Sequence, residues 1–149
     1  MNPDFRDLLS AFSAASVEYL LVGAYAMAVH GLPRATGDMD VWVRRTPENA
    51  RRVLQALAAF GAPVSSLSPS DFESEEAVFQ IGVAPCRIDV RTAIDGVGFE
   101  SGWEARTRTL LEGIEVPVIA PADLLLNKQA LGRPKDLGDA AFLADLLKR

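Results

Sequence analysis

A chain of 149 residues with 49% hydrophobic and 23% charged side chains has ordinary globular composition, which argues against disorder, a fibrous repeat or a second domain beside the one expected over 1–149. Its formal net charge of −5 and pI near 4.9 have the wrong sign for a broad phosphate-neutralising surface of the kind that binds nucleic acid. The single cysteine, Cys86, excludes an internal disulfide and a thiolate metal site; no apolar run reaches membrane-spanning length, and Asp4 and Asp7 stand where a signal peptide would be basic, so the cytoplasm is the expected compartment.

Asn2, Pro3 and Asp4 form a helix start, and Phe5, Leu8, Leu9 and Phe12 recur at helical spacing in a helix expected to end near Ser16. A strand over Tyr19 to Val22 follows, breaks at Gly23, and turns into a short helix from Ala24 to Val29. His30 is the only histidine, which excludes multi-histidine metal sites; before Gly31 at a helix end it reads as a structural cap in preference to a phosphate contact. After a loop holding Pro33, Arg34 and Thr36, a second strand runs from Asp38 to Val43.

This second strand carries the chemistry. Strand side chains alternate, so Asp38 and Asp40 share one face while Met39, Val41 and Val43 enter a core. Two adjacent carboxylates repel each other, and such a pair implies a shared proton or a bound cation, with a hard divalent metal the first choice. The turn at Gly23 points unpaired N–H groups and the positive end of a helix dipole beyond the first strand, where phosphate oxygens fit. Arg34, between the two, is a cation able to meet a phosphate or pair with an aspartate. Together these residues describe a pocket for a metal-chelated polyphosphate.

Thr46, Pro47 and Glu48 start another helix, Val53, Leu54, Leu57 and Phe60 give it a buried stripe, and Gly61 stops it. Arg44, Arg45, Arg51 and Arg52 flank it and read as a solvated face. The serine- and proline-rich stretch 62–75 reads as a lid or acceptor-side loop. Strands over 76–83 and 87–91 form a hairpin around Gly82 and Pro85; in the second, Ile88 and Val90 face the core while Arg87, Asp89 and Arg91 share the other face. Taken alone Asp89 is a surface aspartate paired with one of those arginines; beside the Asp38 strand it becomes a third carboxylate of the same site. The glycines of 94–103 suggest a loop, and 107–111 with 114–119 a hairpin turning at Glu112 and Gly113. A helix over 122–131 carries Lys128, whose apolar surroundings require an anionic partner. The last helix, from Lys135 toward Leu147, is expected to bury Leu137, Ala140, Ala141, Ala144 and Leu147, with Asp136 and Asp139 in its first turn.

The Gly23–Ala24 turn, the segment HGLPRATGDMDVWV, the RIDV strand and the terminal LLLNKQALGRPKDLGDAAFL together resemble the minimal nucleotidyltransferases of the polymerase-beta superfamily, particularly the group with bacterial and archaeal toxin and antitoxin members. The resemblance implies an α+β fold whose mixed, mainly antiparallel sheet is flanked by helices and carries the carboxylates at its exposed edge. It implies that Asp38, Asp40 and Asp89 bind Mg2+ or Mn2+ and are catalytic, that Gly23 and Ala24 hold the nucleotide's phosphates with Arg34 and Thr36 nearby, that Lys128 meets the triphosphate, and that Asp136 is the acid following it. Ala24 departs from the pattern, in which glycine or serine is usual, and a serine's hydrogen bond would be missing. The implied reaction is transfer of a nucleoside monophosphate from a nucleoside triphosphate to a hydroxyl on a protein, an RNA end or a small molecule, within a toxin–antitoxin system where a protein partner or a homodimer takes part, and away from the membrane. Two other classes stay open on the residues: a catalytically silent, nucleotide-binding or partner-masking antitoxin module, and a metal-dependent phosphohydrolase.

Overall fold

Local signals set most element boundaries in the computed structural model, which describes residues 1–33, 36–83 and 86–149. The chain runs α1 (Pro3–Ala14), β1 (Tyr19–Val22), α2 (Gly23–Val29), β2 (Asp38–Val43), α3 (Pro47–Phe60), a 3-10 turn (Pro69–Phe72), β3 (Val78–Val83), β4 (Cys86–Arg91), α4 (Phe99–Ala105), β5 (Thr107–Leu111), β6 (Ile114–Val118), α5 (Pro121–Leu131) and α6 (Pro134–Leu147). Asn2 caps α1 by accepting from the Asp4 N–H at 2.7 Å, Thr46 caps α3 by accepting from the Asn49 N–H at 3.2 Å, and Gly61 closes α3 in the left-handed region. The β5–β6 hairpin turns through Glu112 and Gly113, both at positive φ.

This is an α+β fold with one six-stranded mixed sheet in the order β3-β4-β2-β1-β6-β5. The pairs β1–β2, β3–β4 and β5–β6 are antiparallel, while β2–β4 and β1–β6 are parallel. β2 and β4, which carry the carboxylates, are interior strands; the site therefore lies on a sheet face and not at the expected edge. Behind that face, Met39, Val41, Val43, Ile88 and Val90 join Phe5, Leu8, Leu9 and Phe12 of α1 and Ala50, Val53, Ala56 and Leu57 of α3 in one buried cluster. Burying side chains of this size stabilises the fold by about 1.5–3 kcal/mol each before the entropy of ordering is counted. Among the described residues no helix is long and apolar enough to cross a membrane.

Two further expectations change. The stretch 94–103 is not all loop: α4 begins at Phe99, and its Gly102 lets the helix approach so closely that a β-carbon there would stand 3.3 Å from Trp42 Cζ3 and 3.4 Å from Leu20 Cδ1. Packing on Trp42 and Phe99–Trp103 stacking outweigh the glycine-rich composition. In α6, Leu137 and Ala141 face solvent, as does much of Leu147, while Asp136, Asp139, Ala140 and Leu143 are buried. The acids turn inward because α5 buries Lys128 opposite them, and a buried ammonium must be paired. Within 62–75, Phe72 of the 3-10 turn is buried and meets Phe79 edge-on, with ring centroids 6.2 Å apart.

Candidate active site

Register builds the site. In the parallel pair β2–β4, Asp38 lies opposite Arg87, Asp40 opposite Asp89 and Trp42 opposite Arg91. Because strand side chains alternate, all six project from one face, and Val22 extends the central row as the partner of Asp40 on β1. The result is a lattice of three carboxylates and two guanidinium groups.

The arginines bind the acids. Arg87 donates from Nε to Asp89 Oδ1 at 2.9 Å and from Nη2 to Asp89 Oδ2 at 3.3 Å and Asp38 Oδ2 at 3.4 Å. Arg91 donates from Nε to Asp40 Oδ1 at 2.9 Å and from Nη2 to Asp89 Oδ2 at 3.3 Å. Asp89 is thus a buried carboxylate held by two cations. Burial pushes the Asp40 carboxyl above its usual range, Arg91 opposes this, and the neighbouring Asp89 and Asp38 charges push it up again. A free carboxylate pair of this kind is unfavourable without positive charge.

Gly23 and Asp40 fit against each other. Gly23 has φ +69°, and a β-carbon there would meet Asp40 Oδ2 at 2.7 Å. Glycine is therefore required twice, for the backbone conformation and for the carboxylate's space. Before β2, the Asp38 N–H donates to Thr36 Oγ1 at 3.2 Å, fixing the strand's entry.

A cleft of about 510 Å³ opens above this face. Val22, Gly23, Ala24, Thr36, Asp38, Asp40 and Arg91 line it on the sheet side, and Asn127, Lys128, Arg133, Lys135 and Asp139 of α5, α6 and their connection on the other; Glu76 and Asp95 also line it. The loop holding Asp95 is fastened to α5, since Asn127 Nδ2 donates to the Asp95 carbonyl at 2.9 Å and Gly96 packs so closely that a β-carbon would touch Leu126 O at 2.9 Å.

The donor chemistry of Asp38, Asp40 and Asp89 suits a hard divalent cation: all-oxygen, anionic and gathered on one face. As the side chains stand, no three such groups among the described residues are arranged around one ion position, because each of these carboxylates is turned to a guanidinium. The trio fits the metal in chemistry and placement, and arginine supplies the compensating charge in this conformation.

A family model described as aminoglycoside-2''-adenylyltransferase matches residues 4–141. The chain belongs to that family. It is accordingly an enzyme of the nucleotidyltransferase class. Solved structures share the fold: lincomycin-bound LnuA, a lincosamide antibiotic adenylyltransferase, at TM-score 0.58 and 14% identity over 98% of both chains; a Thermotoga maritima protein assigned as a nucleotidyltransferase, at 0.57 and 15% over 99% of this chain and 95% of that one; and an antigenic nucleotidyltransferase-like protein of Paracoccidioides brasiliensis, at 0.53 and 18% over 96% and 75%. None of the curated proteins compared matches at a significant level.

Within this family member, the sequence-derived residues divide. Gly23, Ala24, Thr36, Asp38, Asp40 and Lys128 line one cleft, and Asp89 lies in register with Asp40 beneath Arg87 and Arg91. His30 is elsewhere: its Nε2 pairs with the Ile119 carbonyl at 2.7 Å, tying α2 to the end of β6, in keeping with a structural role. Arg34 lies outside the described residues. Lys128 sits between α6 acids, 3.1 Å from Asp139 Oδ2 and 3.5 Å from Asp136 Oδ1, and Asp136 also accepts from Arg133 Nε at 2.5 Å. Removing one partner from a buried pair of this kind costs about 3–5 kcal/mol. Lys128 and Asp136 thus lock α5 to α6. Sequence reasoning did not pick out Glu76, Asp95, Asn127, Arg133 or Lys135. Only Asn127 carried a local signal, as a polar residue directly after a leucine triplet.

Proposed function

We propose that this nucleotidyltransferase moves a nucleoside monophosphate from a nucleoside triphosphate to a hydroxyl of a small cationic acceptor, of the aminoglycoside kind that the family description names. The observation carrying the reading is the register of Asp40 with the buried Asp89: Asp38 and Asp40 lie on the floor of a cleft whose opposite wall holds Lys128, Arg133 and Lys135, and Asp89 stands beside Asp40 beneath the arginines. Acids on the floor and bases on the wall suit a chelated polyphosphate between them. Glu76 and Asp95 favour a cationic acceptor: both line the cleft, and neither side-chain carboxylate has an ion-pair or hydrogen-bond partner among the described residues.

Asp38, Asp40 and Asp89 would hold Mg2+ or Mn2+, which supplies positive charge against the triphosphate and acidifies the acceptor hydroxyl. The chain's own residues do the rest. Gly23 and Ala24 let the phosphates approach the backbone closely, and Asp89 takes the hydroxyl proton. The acceptor oxygen bonds to the α-phosphorus, the bond from that phosphorus to the bridging oxygen breaks, and pyrophosphate leaves with the electron pair. Closing the cleft around both substrates keeps water from competing as the nucleophile.

A second reading, a catalytically silent module that binds nucleotide or masks a partner in a toxin–antitoxin setting, draws on the arginine pairing of all three carboxylates. One assay separates the two. With magnesium and an aminoglycoside carrying a free 2''-hydroxyl, nucleotide labelled at the α-phosphorus should label the acceptor and γ-labelled nucleotide should not. Acceptor labelled from the γ position would overturn the transfer chemistry, and no label on any acceptor, protein and RNA included, would establish the silent module.

A further inference from the structure

Among the described residues four cations line the cleft, and three are already engaged. Arg91 is bound to Asp40 and Asp89, Lys128 to Asp136 and Asp139, and Arg133 to Asp136. The fourth, Lys135, is exposed in the first turn of α6, lines the same cleft as Gly23, Ala24 and Asp38, and has no ion-pair or hydrogen-bond partner among the described residues. We infer that Lys135, and not Lys128, is the lysine that contacts the triphosphate, which deepens the transfer reading above and rests on it.

The two lysines differ in what moving them would require. Lys128 pairs with both Asp136 and Asp139, Arg133 pairs with Asp136, and both acids are buried. Drawing Lys128 onto a phosphate would leave buried carboxylates short of a cation, a strongly unfavourable exchange. Lys135 gives up only water. Its flexible stem and compact ammonium suit a polyphosphate whose oxygens shift between ground state and product. A charge-to-phosphate contact of this kind is worth roughly a factor of ten in affinity.

Titration of the full chain with magnesium ATP and, separately, with magnesium tripolyphosphate tests the assignment. Lys135→Ala should weaken both ligands by a similar factor of roughly ten, Lys135→Glu should weaken them more, and Lys135→Arg should restore most of the loss, all with unchanged melting temperature. Lys128→Met should instead lower the melting temperature and, measured well below it, change nucleotide affinity less than Lys135→Ala does. Unchanged affinity for both ligands in Lys135→Ala overturns the assignment while leaving the transfer reading in place. A loss confined to ATP, with tripolyphosphate unaffected, also overturns it, because the lysine would then be reading the nucleoside. Failure of the unsubstituted chain to bind either ligand overturns both.

Discussion

Gly23 holds the Asp40 carboxylate in place by leaving room for it, the missing β-carbon being all that separates the turn from Asp40 Oδ2. Gly23→Ala should therefore act on fold and site together. Adopting φ +69° with a side chain costs about 1–2 kcal/mol, and the 2.7 Å approach forces Asp40 to move. Denaturant unfolding should report the first effect and transfer activity the second. Full activity in a folded Gly23→Ala variant would show that Asp40 need not sit where it does.

Asp40→Asn and Asp89→Asn should differ in stability while both abolish transfer. Burial already pushes the Asp40 carboxyl up, so an amide removes an unfavourable charge and stability should stay level or rise slightly. Asp89 is buried and receives both arginines, so its amide should lose about 3–5 kcal/mol. Melting curves in metal-free buffer decide between them; equal losses would mean that the arginines do not distinguish the two carboxylates.

Glu76→Gln combined with Asp95→Asn should raise KM for a cationic acceptor and leave the affinity for nucleotide unchanged. The effect should shrink as salt is added, because both carboxylates line an open cleft and act through screened charge. An acceptor KM that does not move would place the cationic end of the acceptor outside this cleft.

Asp136 should govern part of the acid stability. The Arg133 guanidinium bound to it holds its carboxyl below the usual range, against the opposing effect of burial. Its folded pKa is thus lower than the unfolded value of about 3.9, so its stabilisation is present above that value and is lost as pH falls through the folded one. Asp136→Asn should be less stable than the unsubstituted chain at neutral pH, and the difference should narrow toward strongly acid pH. Parallel curves at every pH would rule out Asp136 as the titrating group.

What was legible in the sequence was legible because it is local. Alternation places Asp38 and Asp40 on one face and Met39, Val41 and Val43 on the other, and capping residues mark the starts of α1 and α3, since both effects act within a few residues. The same locality explains the likeness to nucleotidyltransferases, whose signature lies in short segments. The tertiary structure alone decided what crosses elements: that β4 lies parallel to β2 with Asp89 opposite Asp40, that α4 forms on Trp42 despite its glycines, and that α6 turns its acids inward. It also decided which lysine is engaged. Periodicity counts apolar positions and treats Asp136 and Asp139 as outward-facing, but a buried ammonium on another helix reverses that preference, because a charge removed from water must find its opposite wherever the fold brings one.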